Sequence, residues 1–461
     1  MKPTEIDALR NQASAAHRAG KIAEARAFYA RYLALCPGDG GIWSNVGALL
    51  RSQQQHTLAL SAQERAYALM PDAPGLRNNL ANILSDLGLY DRSIALREEI
   101  LQRAPQDKSQ RAMIGRCLRG LGRYSDAIDY LKAAEADHPD DSEIKLQRAF
   151  AELGEGRYGA AFRTYGVRWQ SEEMTPRQLD LPQWDGGDLT GKTVLVLPEQ
   201  GFGDAVLFTR FLPALRQHCA RVLFLAERPL ARLFDGLDGA DWVGTELPAT
   251  EKVDCWINLM DMPLLVFGAD DSGAIPAPTR LNIPADSVTR AKAIAKPHKE
   301  KFKIGVVWSG SATYKGNSFR SFSHRQFHPL VDVPDVQLFS LYKGPFLEAF
   351  VADGTSLLIQ DTASTDRDFA DCAATMQQMD LIITSDTATA HIAGSLGVPT
   401  WVLLHWDPFW VFRHSGDTTD WYPEMQLYRQ PEPLDWDSVF ALVETDLRKR
   451  VTKWKKEQKR G

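Results

Sequence analysis

Three short segments hold side chains able to bind charge or move a proton. The first is Glu199-Gln200-Gly201-Phe202-Gly203-Asp204, where two glycines permit a tight turn and Asp204 opens a helical run. A carboxylate in that place either caps the helix or acts as a general base. The segment lacks the third glycine of a dinucleotide fingerprint. The second, SGSATYKGNSFRSF (309–322), sets Lys315 and Arg320 among Ser309 and other small residues, a composition suited to clamping phosphate or to a plain solvated loop. The third is Ser385-Asp386-Thr387-Ala388-Thr389-Ala390-His391, which starts a helix closing at Gly397-Val398-Pro399. Hydroxyls and free N–H groups at a helix N-terminus attract anions. There Asp386 either caps the helix or accepts from a sugar or ribose hydroxyl, and His391 either packs the helix on its sheet or meets a phosphate.

Each segment follows an apolar run that reads as a buried strand. TVLVL (193–197), VLFLA (222–226) and CWINL (255–259) form one set. KIGVVWSG (303–310), VQLFSLYKG (336–344), LIIT (381–384) and WVLL (401–404) form another, joined to the first near 284–301. Buried strands alternating with helices imply parallel sheets, so we expect two Rossmann-like α/β lobes with a cleft between them. Ligands in such sheets sit beyond the carboxyl ends of the strands, where the three segments fall. The aromatics of HWDPFWVFRH (405–414), Trp406 and Trp410 among them, either wall that cleft or pack as core.

The first third of the chain is periodic. Prolines 37, 71, 105 and 139 stand 34 residues apart, and Gly20, Gln54, Gly88, Gly122 and Gly156 keep the same period. So do Ala25, Ala59, Ser93, Ala127 and Ala161. Glycine allows the left-handed turn between paired helices, the small residue lets them approach, and proline ends the second helix. Gln54 in a glycine position predicts a distorted turn. The pattern resembles tetratricopeptide repeats, an α solenoid whose usual work is to hold a peptide or protein. Dimerising the chain or buttressing its partner domain is the structural alternative.

Composition narrows the class. Five scattered cysteines, with no C-x-x-C pair or His/Cys ligand spacing, fit buried thiols rather than disulfides or a zinc site. No apolar run reaches the length of a membrane span, and a cytoplasmic protein is expected. The formal charge of −6 conceals a basic end: residues 448–461 carry +7 and the remainder −13. An acidic body argues against nucleic acid as partner. The basic end reads as a frayed helix terminus or a weak contact for anionic lipid.

The second half resembles the GT-B glycosyltransferases of the heptosyltransferase superfamily over roughly 165–445. The matching text is WDGGDLTGKTVLVLPEQGFGDAVLFTRFLPAL, GVVWSGS, LYKGP, DLIITSDTATAHIAGSLGVPTWVLL and WYPEMQLYRQP, in that order. The resemblance implies Asp204 as catalytic base. It implies a donor site drawn from Gly201, Gly203, Ser309, Lys315, Arg320, Lys343, Ser385, Asp386, Thr387, Thr389 and His391. Spacing does not choose between Lys315 and Arg320 as the phosphate contact, and Ala388 takes the place of the motif's glycine. The co-substrate would be a nucleotide sugar, with neither metal nor cofactor. Domains expected are 1–169 (repeats), 170–190 (linker), 191–290 (acceptor-side lobe), 291–447 (donor-side lobe) and 448–461 (basic tail). Repeats joined to such a domain resemble protein O-glycosyltransferases, which implies Ser/Thr glycosylation with flagellin as the foremost acceptor. Assembly of a surface polysaccharide or lipid-linked glycan, and a non-catalytic scaffold with a relic GT-B fold, are the alternatives.

Overall fold

The computed structural model describes residues 3–171, 174–268 and 271–459. They fall into two compact units, 1–151 and 152–461. Ten helices come first: α1 (Pro3–Arg18), α2 (Ile22–Leu35), α3 (Gly40–Ser52), α4 (His56–Leu69), α5 (Pro74–Asp86), α6 (Tyr90–Arg103), α7 (Lys108–Gly120), α8 (Tyr124–Asp137), α9 (Ser142–Glu155) and α10 (Tyr158–Tyr165). The small-residue series explains how they pair. Ala25, Ala59, Ser93, Ala127 and Ala161 are each 0% exposed, so any larger side chain there would push the paired helices away from each other. Ser93 differs from its alanine counterparts because its hydroxyl has work: it donates to the Ala81 carbonyl at 2.8 Å and accepts from the buried Arg97 at 3.1 Å.

The expected distortion at Gln54 is absent. Gln54 adopts φ 58°, close to the 69–70° of Gly20, Gly88 and Gly122, because the flanking helices impose the left-handed turn whatever residue fills it. A side chain pays for that conformation with about 1–2 kcal/mol of steric strain, offset in part by the flexibility glycine would lose on folding. Gln54→Gly should therefore stabilise the first unit by about 0.5–1 kcal/mol, read as a higher urea midpoint at unchanged slope. An unchanged or lower midpoint would contradict the strain.

The second unit holds two parallel sheets. The first has the order β3-β2-β1-β4, from β1 (Thr193–Leu197), β2 (Arg221–Leu225), β3 (Trp242–Gly244) and β4 (Cys255–Asn258). The second runs β10-β9-β8-β5-β6-β7, from β5 (Phe302–Val307), β6 (Val336–Ser340), β7 (Gln360–Asp361), β8 (Leu381–Ser385), β9 (Thr400–Leu404) and β10 (Met425–Arg429). Helices α11 (Phe202–Phe208), α12 (Leu212–His218), α13 (Arg228–Phe234) and α14 (Ala285–Ala295) accompany the first sheet and the crossing to the second. Then come α15 (Asn317–Arg320), α16 (His328–Val331), α17 (Leu347–Ala352), α18 (Phe369–Met376), α19 (Ala388–Ser395) and α20 (Trp436–Gln458). These are the two α/β lobes expected. Arg232 on α13 ties them, donating to Asp286 on α14 at 3.0 Å and to Asp368, the N-cap of α18, at 3.1 Å.

Three segments differ from expectation. Helix α10 keeps the repeat period yet belongs to the second unit, where Tyr158 and Phe162 pack on Phe267 at 5.0 and 6.1 Å. The expected linker carries some pairing, with Gln183 bridging to Trp256 of β4. The basic end is no separate tail: α20 continues through it, burying Val451 and setting Trp454 against Phe302 at 5.6 Å. Arg460 and Gly461 lie outside the described residues. Among the described residues no helix is long and apolar enough to cross a membrane.

Candidate functional site

The site is built where α11 of the first lobe meets α19 of the second. Their approach depends on Gly203. A Cβ there would stand 2.9 Å from the His391 ring and 3.4 Å from the Ala388 Cα, so a side chain would wedge the lobes apart. The glycine thus serves the contact between lobes; the space at its Cα is taken by protein rather than left to a ligand.

Asp204 occupies the first turn of α11, half-buried, its Oδ2 accepting from the Gly201 N–H at 3.1 Å. It is a cap, as its position allows, and also more than one. Burial raises its carboxyl to about 6, and the charge of Asp386 adds to the rise, against the pull of the Gly201 N–H and Arg320. Asp386 is buried where β8 gives way to α19, and its Oδ2 accepts from the Phe409 N–H at 3.4 Å. Burial raises its carboxyl too, opposed by Arg320. A half-buried carboxylate near neutrality, facing a second carboxylate and a guanidinium, has the electrostatics of a general base.

The phosphate-clamp candidates separate. Arg320 ends α15, donates from Nε to Asn317 Oδ1 at 3.3 Å and lies 4.6 Å from the Tyr314 ring centre. Its charge bears on Asp204, Asp386, His391 and His405. Lys315 lies on the exposed turn before it. Lys343 is turned to other work, donating to the Asp366 carbonyl, and its charge bears on Asp366 and Cys372. Ser309 is committed as well: its Oγ accepts from Asn317 at 3.0 Å and shares a proton with Ser321 at 2.8 Å, fixing the loop.

His391 is not a cation. Burial, with Arg210 and Arg320 adding, lowers its imidazole to about 3, and Nδ1 is hydrogen-bonded to the Tyr422 hydroxyl at 3.1 Å. It packs α19 between aromatic rings. Thr387 takes the N-cap position of α19 from extended backbone without a side-chain capping hydrogen bond, and Thr389 is buried in the first turn. Trp410 is core, not cleft wall: it lies 4.9 Å from Trp421 and 6.0 Å from Tyr158. Trp406 does border the site, edge-on to Phe319 at 5.3 Å.

Three buried polar atoms near these residues lack hydrogen-bond partners among the described residues: Ser318 Oγ, Ser385 Oγ and Trp406 Nε1. Ser385 ends β8, and Ser318 and Trp406 sit on the segments after β5 and β9; these three strands are neighbours in the sheet. Buried donors left unpaired are costly, and a ligand is one of the few reasons a fold keeps them. Among the described residues no cluster of three or more His, Cys, Asp or Glu side chains could hold a metal ion.

A family model for the tetratricopeptide repeat matches residues 6–40 and 113–172. The chain joins a tetratricopeptide array to a two-lobed α/β domain. Protein FlbA of Caulobacter vibrioides is 26% identical over an alignment of 338 residues that covers 66% of this chain and 55% of FlbA, so the chain spans about half the length of that relative. A glycosyl transferase family 9 structure from Veillonella parvula covers 53% of this chain and 87% of its own at 15% identity and TM-score 0.41. A MamA structure (MSR-1) covers 37% of this chain and 97% of its own at 20% identity and TM-score 0.32. Likenesses of that size assign no activity.

Sequence reasoning passed over Arg168 and Asp261. Near the end of the stretch that the repeat model matches, Arg168 is 2% exposed and bonded to Glu199 and Asp261 at 2.9 and 2.7 Å. An arginine shortly before a loop-like stretch carries no local signal. Only the fold brings it to the first glycine segment.

Proposed function

We propose that the chain is a cytoplasmic, inverting, metal-independent glycosyltransferase, which moves a sugar from a nucleotide sugar to Ser/Thr of a protein recruited by the tetratricopeptide array. Flagellin is the first acceptor to test. The observation that carries this reading is the packing of α11 on α19, which sets Asp204 within electrostatic reach of Asp386 and Arg320, beside three unpaired buried donors at or after the carboxyl ends of β5, β8 and β9. The resemblance of the sequence blocks to heptosyltransferases supports it.

In the reaction, the acceptor hydroxyl oxygen attacks the anomeric carbon as the carbon–oxygen bond to phosphate breaks. Asp204 takes the hydroxyl proton. The electron pair leaves on the nucleoside diphosphate, whose charge is met by Arg320 and the free N–H groups of α19. Ser318, Ser385 and Trp406 would donate to donor oxygens. These groups cover the leaving charge, so a metal is not invoked.

Two measurements test this reading. Calorimetry of the full chain against a panel of nucleotide sugars should find one that binds. Intact-mass analysis of flagellin and other secreted proteins, with and without the gene, should find a lost sugar mass. No binding to any donor, with a protein still captured by the array, would favour the scaffold instead. A mass lost from a lipid or polysaccharide alone would reassign the acceptor.

A further inference from the structure

The glycine segment that leads to Asp204 is anchored twice, by side chains from the end of the repeat-matched stretch. Gln200 donates from Nε2 to the Tyr165 hydroxyl at 2.8 Å. Its neighbour Glu199 pairs with Arg168 at 2.9 and 3.0 Å. Arg168 is itself held from two sides: Nη1 donates to the Tyr165 carbonyl at 3.1 Å, and Nη2 to Asp261 Oδ1 at 2.7 Å. The other Asp261 oxygen accepts from Asn258 at 2.9 Å, so the chain of contacts ends in β4.

Between the two anchors the backbone is strained. Gln200 has φ 61°, a left-handed conformation that is unfavourable for a residue with a side chain. Such a conformation persists only where its surroundings impose it. Here a hydroxyl and a guanidinium impose it on adjacent residues, immediately before Gly201 caps α11. We propose that Tyr165 and Arg168 are positioning residues, holding the Glu199–Gln200 turn so that Asp204 stays facing Asp386 and Arg320. This rests on the reading of Asp204 as base. It makes α10 and the turn after it a working element of the catalytic unit, and it explains why a buried arginine is placed between two carboxylates.

The titration of Asp204 reports on the turn without needing a substrate. The groups that face it are the Gly201 N–H, Asp386, Arg320, Tyr165 and Tyr422, with His391 reached through Gly203. Full-length protein carrying carbon-13 at the aspartate carboxyls would be titrated by NMR, the Asp204 signal being the one absent from Asp204→Asn. With the anchors removed, the turn relaxes, water reaches the carboxylate, and its midpoint should fall by about one unit or more in Tyr165→Phe and Arg168→Gln. Arg168→Lys, which can still pair with Glu199, should stay near the parent. Loss of the Arg168 charge alone would move the midpoint up, so a fall reads the geometry.

A Tyr165→Phe midpoint within about 0.3 unit of the parent overturns the proposal. That variant lacks a single hydroxyl and decides the matter even where Arg168→Gln fails to fold. Retained transfer by Asp204→Asn would sink the base reading instead, and would leave this titration standing as evidence about the turn.

Discussion

Asp204→Asn should give a protein that no longer transfers sugar and yet is harder to unfold than its parent. The amide cannot take the acceptor's proton, and loss of a general base costs about 10²- to 10⁴-fold in rate. Stability moves the other way. The Asp204 carboxyl sits at about 6 in the folded chain against an ordinary 3.8, so the fold favours its protonated form. A carboxyl raised in this way supports the fold below about pH 4, and the support fades as pH climbs towards about 6. Above that, ionised Asp204 works against folding by on the order of 1–3 kcal/mol. Asparagine, neutral throughout, escapes this cost. Thermal unfolding should show the variant ahead above about pH 7, with the gap closing near about pH 4. The parent's transfer rate should rise with pH and level off above about 6. Full transfer by the variant would remove Asp204 as base; equal midpoints at both pH values would remove the buried-carboxylate argument.

The second large effect concerns the choice that spacing left open. Arg320→Ala should lower transfer by about 10²- to 10³-fold, the usual cost of losing a charged group aimed at a leaving anion. Lys315→Ala should stay within about tenfold, as befits an exposed side chain whose gain is screened by water. A companion signature separates the two. Arg320 pulls the Asp204 carboxyl down, so its removal should move the acid limb of the rate profile to higher pH. Lys315→Ala should leave that limb in place. A larger loss from Lys315→Ala, or an unmoved limb in Arg320→Ala, would reverse the assignment.

The repeats were legible because three independent constraints, a turn, a close approach and a helix stop, each leave a residue type at one period. The core strands were legible because they are continuously apolar: TVLVL is β1 residue for residue. The strands passed over are β3, β7 and β10, which lie at sheet edges. Edge strands are short or half-wet, so their composition merges with loop; β7 has only two residues. In the site, Asp204 and Asp386 could be named because helix starts and strand ends mark such places locally. What Lys343 and Trp410 do is decided by contacts far along the chain, Asp366 and Tyr158, and no short window of sequence contains both halves of those contacts. Ser309 and Ser321 share one window, but its letters do not show that they pair. His391 illustrates the same limit: its neutrality comes from burial, with Arg210 and Arg320 adding, and not from its neighbours in sequence.

Helix α10 sets a rule for how this chain could change over generations. Duplicating or deleting a 34-residue block upstream of it would alter the length of the array and leave the second unit's interior intact. The last block is different. It carries the rings that fill the space around Phe267 and the hydroxyl that anchors Gln200. From Tyr158 onward, the period continues in the letters of the sequence, but inheritance must keep the helix with the second unit.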